Sequence, residues 1–455
     1  MSNDIAKAAT LGGREERRQS LRALAAATIG TAIEWYDFYV YGTIAGLVFG
    51  RLFFPEFNPY SGLLLAFSTF FVGFAARPIG AIIFGHFGDR IGRKATLIAT
   101  LLCMGVGTVL VGLVPTYASI GIWGAVILVV LRIVQGLGVG GEWGGSVLLA
   151  TEWRLFRGRR GFTAAWAQWG SPAGLVLSTG AIALFSAIAG PQGFLSWGWR
   201  VPLLLSAVLI GVGLYVRLGI LETPAFSQLV TRQKVERQPV LEAVRTQGKN
   251  VALTCLIRMS QHSSFYLFTT FFTAYAVATL KISRPLVLTA VLVAGLVSLF
   301  TVLFWGYLSD VIGRKRMYMI GAVTMLVFAI PYFLAVDTAI AVVVFVVVIL
   351  SLIIHDMQYG PQAAFIAESF PTKVRYSGSS LGYQLSSVTA AGPAPLIATF
   401  LAHTFHTGLA VGVYLVIWSA IAIGATALLK DTSKVEFMGE EGEPVPPGAA
   451  TQGTT

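Results

Sequence analysis

Apolar runs about 20 residues long, separated by short polar loops rich in Lys and Arg, recur along nearly the whole chain. A helix needs about 20 mostly apolar residues to cross a bilayer. That ruler predicts twelve spans, at 22–48, 60–85, 95–114, 121–152, 162–188, 201–220, 250–280, 285–308, 316–335, 339–367, 377–402 and 408–429. An even number of crossings puts both termini on one side of the membrane. With the termini cytoplasmic, most of the 32 Lys and Arg residues fall in cytoplasmic segments, whereas the opposite orientation reverses that bias.

Composition agrees with the pattern: 55% of the 455 residues are hydrophobic, only 12% are charged, and mean hydropathy is +0.74. Soluble globules carry about twice that charge, so the chain reads as an all-α integral membrane protein. The net charge of +11 is then a matter of loop topology and no footprint of nucleic acid. Cys103 and Cys255 each lie inside an apolar run and suggest neither a disulfide framework nor a metal site. Residues 1–21 read as a basic cytoplasmic arm retained in the mature chain, and residues 431–455, rich in Glu, Gly and Pro, as a disordered cytoplasmic tail.

Two stretches echo each other, "GHFGDRIGRK" (85–94) and "GYLSDVIGRK" (306–315), each closing one span and opening the next. A second pair, "TEWRLFRGRRG" (151–161) and "AESFPTKVRYSG" (367–378), follows at nearly the same offset. The chain therefore divides into two pseudo-symmetric six-helix bundles, 22–216 and 250–430, joined by a central cytoplasmic loop, 217–249.

The G-x-x-x-D-x-x-G-R-K loop in both halves resembles the signature loop of the major facilitator superfamily. "EWYDFYVYG", "RPIGAIIFGHFGDRIGRK", "RIVQGLGVGGEWGGSVLLATEW" and "ESFPTKVRYSG" are together similar to its metabolite:proton symporter family. Within that family, "FLSWGWRVPLLLSAVLIGVGLYVRLGILETPAF" (194–226) reads most like shikimate-type members. The resemblance implies a twelve-helix major facilitator fold in the cell inner membrane, acting as a monomer. "RLFRG" after Glu152 departs from relatives, which often carry a proline-containing turn there.

The loops read as gates. Asp89 and Asp310 end spans and are followed by Arg93 and Lys94, and by Arg314 and Lys315. A carboxylate at an interface between bundles can pair with such bases and cap a neighbouring helix N-terminus while the gate is shut. Glu152 and Glu368, with Arg375 close behind the second, belong to the same charge network in facilitator-type transporters.

Charge inside a bilayer is costly and marks ion or solute paths. Glu34, Asp37 and Tyr41 share one helical stripe; Arg132, Gln135 and Glu142 share a second; Arg258, Gln261 and His262 share a third. Such stripes are expected to face a water-filled cavity. Low dielectric disfavours a charged carboxylate, so a buried acid can hold a proton and release it when water or an arginine approaches. Asp37 is the first choice for that role and Glu34 the second. Arg132, with Gln135 beside it, offers the planar fork that anchors an organic anion, and Arg258 is a second anchor unless it pairs with Asp356 or Glu34. Arg77, ahead of Pro78, is expected to bridge Glu142. His355 and Asp356 are neighbours about 100° apart, so one faces the cavity and the other packs between helices. Gln168, Gln261, His262, Tyr359 and Tyr383 can supply hydrogen bonds and ring faces to a cyclic or hydroxylated acid. "GLGVGGEWGG" (136–145) lets helices approach closely and is no nucleotide fingerprint, since no strand precedes it.

The expected function is proton-coupled uptake of a small organic acid such as shikimate, by alternating access. Its partners are the acid, a proton and the lipid bilayer, with no nucleic acid, cofactor or metal. Rival readings are symport of proline or betaine, symport of a dicarboxylate such as 2-oxoglutarate, or efflux by antiport. An enzyme is disfavoured because H-E-x-x-H and C-x-x-C are both missing from the sequence.

Overall fold

A computed structural model describes residues 13–91, 93–151, 160–219, 239–371 and 374–431. These residues form twelve helical rods. In the first half, α1 runs Gly13–Ile44 and continues through a π turn (Ala45–Phe49) into Gly50–Phe53; α2 is Pro59–Ala75 with Arg77–Ile91; α3 is Arg93–Leu113. Then come α4 (Trp123–Thr151), α5 (Arg160–Gly193) and α6 (Arg200–Leu204 with Ser206–Leu218). In the second half, α7 is Pro239–Tyr266 continued by a π turn (Leu267–Phe271) and Phe272–Ala278, followed by α8 (Arg284–Ile312), α9 (Arg314–Asp337) and α10 (Ala341–Glu368). Last are α11 (Arg375–Ser386, a π turn Ser387–Ala391, and Ala394–Phe405) and α12 (Leu409–Leu428). The π turns of α1 and α7 fall at matching places in the two halves, and such bulges often accompany functional sites.

The halves pack alike. In the first, α1 lies on α5 and α6, α2 on α4, and α3 on α4 and α6. Moving six helices along gives the second: α7 on α11 and α12, α8 on α10, and α9 on α10 and α12. Across the interface α5 meets α8 and α10, while α11 meets α2 and α4, so exchanging the halves maps the contacts onto themselves. This is the two-bundle fold expected from the repeated motifs.

Ten of the described helices are long and apolar enough to cross a membrane. The two rods that fall short, α1 and α7, are those that carry Glu34 and Asp37, and Arg258 and His262. Large apolar side chains stand exposed around the barrel, among them Val130, Val212, Phe300, Val327, Val346 and Ile417. In water such a belt is untenable; lipid tails cover it.

Local chemistry sets several boundaries. Asn58 accepts the Ser61 N–H at 2.8 Å ahead of Pro59 and starts α2. Pro78 has no N–H to offer Phe74, and α2 breaks at Ala76, one residue before Arg77. Between α8 and α9, Gly313 sits at φ 99°, where a side chain would be strained, so this copy of the G-R-K needs its glycine for a tight reversal. Gly80, Gly136 and Gly140 let α2 and α4 touch: a Cβ on them would collide with Leu137 O, Gly73 O and Arg77 O respectively. Two helices run beyond the predicted spans. Helix α1 begins at Gly13, so part of the basic arm is helical, and α7 begins at Pro239, well before 250, with a break at Gln247. Residues 239–247 carry Glu242 and Arg245, too polar to count as a span.

Candidate functional site

At mid-height between the halves, α1, α2, α7 and α11 bring buried charges together. Arg77 is fully buried, its guanidinium carbon 4.0 Å from the ring centres of both Phe38 and Phe74 and 5.8 Å from that of Trp35. None of its three side-chain nitrogens has a hydrogen-bond partner among the described residues. Glu34, Tyr266 and Tyr383 lie within its electrostatic reach, so Arg77 faces the other half. The expected bridge from Arg77 to Glu142 does not form. Glu142 instead pairs with Arg217, which also donates to Leu97 O, and it accepts Thr100 Oγ1 at 2.8 Å. Arg217, at the last turn of α6, is thus an internal residue.

From α7, Arg258 meets this centre. It donates to Tyr383 O and Ser386 Oγ at 2.8 Å each and to Gln362 Oε1 at 3.3 Å, and it touches His262 Nδ1 at 2.6 Å. The Tyr383 ring lies beneath its guanidinium. Neither Asp356 nor Glu34 is within ion-pair distance, so of the two alternatives the paired one is not realised, and one terminal nitrogen, Nη2, is left without a partner. Also unpartnered are His262 Nε2, Tyr266 Oη, Tyr359 Oη and Glu34 Oε2. Gln261 reaches His355 Nε2 at 2.7 Å and accepts Gln362 at 3.1 Å. His355 turns to α7 while Asp356 accepts Ser298 and Thr301 of α8 at 2.6 and 2.5 Å, as their angular separation requires, although the two side chains still touch at 2.9 Å.

Asp37 occupies a separate place inside the first half. Ser206 Oγ donates to its Oδ1 at 2.6 Å, and Oδ2 is buried without a partner. Arg132 is within electrostatic reach. Arg132 Nη1 donates to Gln135 Oε1 at 2.8 Å, Gln135 donates to Thr108 at 2.7 Å, and the Arg132 guanidinium covers Tyr41 at 3.9 Å and Phe38 at 4.5 Å. Tyr41 hydrogen-bonds Thr69 at 2.7 Å. The Glu34–Asp37–Tyr41 stripe therefore does not line one cavity: Glu34 lies within electrostatic reach of Glu142 and Arg217 in its own half and of Arg77 and Arg258 at the interface, whereas Asp37 bonds Ser206 inside the bundle. Gln168 lies at the interface, 3.4 Å from Tyr359 O.

One end of the molecule carries the charge network. Asp310 accepts the backbone N–H groups of Gly161 and Phe162, at the start of α5, at 2.8 and 2.9 Å. Arg314 pairs with Asp310 at 2.9 Å and Glu368 at 3.2 Å, and Arg160 approaches Glu368 at 3.7 Å. Tyr376 donates across the interface to Gly141 O. Lys315 works within its own half, donating to Ala427 O and Leu429 O at the C-terminal end of α12. Arg375 donates to Ala367 O and Phe370 O and so ties the turn between α10 and α11. The side chains of Asp89 and Arg93, and all of Glu152, lie outside the described residues; Lys94 is described and has a partner. At the opposite end Tyr60 stacks on His403 at 3.7 Å and Arg284 reaches Ser186 at 3.4 Å, beside a crevice of about 320 Å³. The halves are thus joined at both ends around the charged centre.

The sequence pattern of the Major Facilitator Superfamily matches residues 23–393. Over 416 residues the chain is 39% identical to the inner membrane metabolite transport protein YhjE of Escherichia coli (strain K12), covering 90% of this chain and 94% of that protein. It is 38% identical over 432 residues to the shikimate transporter of the same organism, covering 93% and 97%. Among solved structures, the proton:xylose symporter XylE bound to 6-bromo-6-deoxy-D-glucose matches with a TM-score of 0.70 at 19% identity, covering 90% of this chain and 95% of that one. At that identity the match speaks for the fold alone.

Proposed function

The chain belongs to the Major Facilitator Superfamily, and from that premise we propose that it imports a small organic acid of shikimate's kind together with a proton. It is a membrane transporter, and the two bundles are its moving parts. One observation carries the choice of an anion: Arg77, Arg132 and Arg258 are fully buried, and none makes an ion pair among the described residues. An uncompensated charge in a dry interior costs several kcal/mol, and a bound carboxylate supplies the missing partner.

The termini face the cytoplasm, on the strength of the basic loops. The Asp310–Arg314–Glu368–Arg160 network then holds the cytoplasmic side shut, and opening that side breaks its bonds to α5. Asp37 carries the proton. Buried beside Arg132 with one oxygen unsatisfied, it has a reason to take up a proton whenever water reaches it and to lose it as the arginine closes in. Coupling the acid at the arginines to the proton at Asp37 makes each half-loaded carrier the costly state to reorient, while the empty and the fully loaded carriers cross, which is what symport requires.

Reconstituted protein given an inward pH gradient is expected to accumulate labelled shikimate above equilibrium. The panel should include 2-oxoglutarate, proline and betaine. Accumulation of betaine or proline with no uptake of either acid would overturn the reading.

A further inference from the structure

We infer that Arg77 and Arg258, one from each half, together seat the carboxylate of the transported acid, and that Glu34 is the internal anion this carboxylate displaces. The inference rests on the organic-acid reading above and names the residues that select for it. Arg132, the sequence's first choice as anchor, belongs instead with Asp37.

The argument begins with how each guanidinium is satisfied. A guanidinium has two faces that stack on rings and an in-plane edge of five N–H donors. Phe38 and Phe74 both lie against the faces of Arg77, and its whole edge is left unbonded in a fully buried position. Stacked faces fix the plane; the free edge is a preoriented fork. Nothing structural is gained from burying such a fork, because a residue that merely held α2 in place would spend its donors on neighbours. Arg258 shows the contrast: Nη1 and Nε are spent on Tyr383, Ser386 and Gln362, which lock it, and Nη2 alone is left over.

Arg77 and Arg258 lie within electrostatic reach of each other and of Glu34, which Glu142 and Arg217 of the first half also face. Two buried cations within reach of each other repel, and Glu34, whose Oε2 has no hydrogen-bond partner, offsets them in part. An incoming carboxylate can bond to both forks at once. It also repels ionised Glu34, so proton uptake at Glu34 and anion binding at the arginines favour each other, as linkage demands. Around the same point His262 Nε2 stands buried without a partner and the Tyr266 hydroxyl lies toward Arg77, both suited to the hydroxyls of a polyhydroxylated ring. The Phe74 and Tyr266 rings, 5.2 Å apart centre to centre, supply apolar walls. The ligand is therefore a monocarboxylate with hydroxyls close to it, gripped from both halves.

Arg132 also keeps Nε and Nη2 unpartnered, but Nη1 is spent on Gln135, its ring contacts are Phe38, Tyr41 and Phe70, and all of these, with Asp37, lie inside the first half, so it cannot grip a ligand from both halves.

The test is equilibrium binding to the purified full-length protein, with labelled shikimate and its uncharged methyl ester as probes. Variants are Arg77→Met, Arg77→Lys, Arg258→Met and Glu34→Gln, each checked for a monodisperse elution profile. Both Met variants are expected to weaken shikimate by about 30-fold or more while leaving the ester within about twofold, the loss of one charged hydrogen-bonded fork. Arg77→Lys recovers part of the loss, and Glu34→Gln binds shikimate as tightly as the parent or tighter. An unchanged acid-to-ester ratio in Arg77→Met overturns the inference while leaving the transport reading intact. If Arg77→Met does not stay monodisperse, weaker acid binding by Glu34→Gln overturns it instead. Parent protein that binds neither shikimate nor 2-oxoglutarate refutes the organic-acid reading itself, and the seat falls with it.

Discussion

Replacing Asp310 by Asn isolates what the repeated loop does. In the closed arrangement the carboxylate accepts two backbone N–H groups at the start of α5, at 2.8 and 2.9 Å, and pairs with Arg314 at 2.9 Å. The amide keeps the shape and one acceptor. It loses the second acceptor, the charge facing the helix N-terminus and the ion pair. A hydrogen bond to a charged group is worth about 1.5–3 kcal/mol, and a partly buried charge at a helix terminus up to about 2. Allowing for the acceptor that stays, the substitution costs the closed state about 2–4 kcal/mol, a shift of roughly 30- to 700-fold in the closed-to-open ratio at that end. Spin labels at Leu218 and Val311, both exposed and on opposite halves near that end, report the opening as a longer distance once Cys103 and Cys255 are replaced by Ser. Lys315→Ala is the comparison, since the bonds of Lys315 go to carbonyls at the C-terminal end of α12, in its own half. The reasoning fails if Asp310→Asn gives the parent distance distribution, or if Lys315→Ala opens that end equally.

Other outcomes follow from the same geometry. Glu142→Gln or Arg217→Met leaves one buried charge alone, a loss of about 3–5 kcal/mol, whereas the double variant restores neutrality; thermal unfolding should rank the double variant nearer the parent than either single. A side chain at Gly140 collides with Arg77 O, so Gly140→Val is expected to displace α2 and abolish uptake, while Gly211→Ala, with open space around it, leaves uptake at the parental rate in the same vesicles. Asp37→Asn should lose gradient-driven accumulation yet keep exchange of labelled for unlabelled acid, because exchange needs no net proton movement; loss of both activities contradicts the assignment.

Much of the scaffold was legible because lipid imposes a simple pattern. Apolar runs of the right length marked the rods, and the repeated G-x-x-x-D-x-x-G-R-K loops marked the two halves. Adjacent His355 and Asp356 separated as helix geometry dictates, one toward Gln261 and the other toward Ser298 and Thr301. Partner choice was not legible. Glu142 looked available to Arg77 on neighbouring spans, but Arg217, 75 residues further on, reaches it from α6, and no periodicity within one helix encodes that meeting. Glu34 and Asp37 share a stripe only to within about 60°. That angle is wide enough for one to lie within reach of Arg77 and Arg258 and the other to bond Ser206. The aromatic clasp on Arg77 had a faint signature, Phe38 and Phe74 beside an Arg-Pro break, which acquires meaning only when α1 and α2 are packed together.

The account turns on acid and proton crossing together. Vesicles holding the reconstituted protein and an internal pH dye, with no initial gradient and the voltage clamped, test this most directly. External shikimate is predicted to acidify the lumen at a rate that tracks entry of the label, and its methyl ester to leave the pH unchanged. Label entering without any acidification would contradict the account.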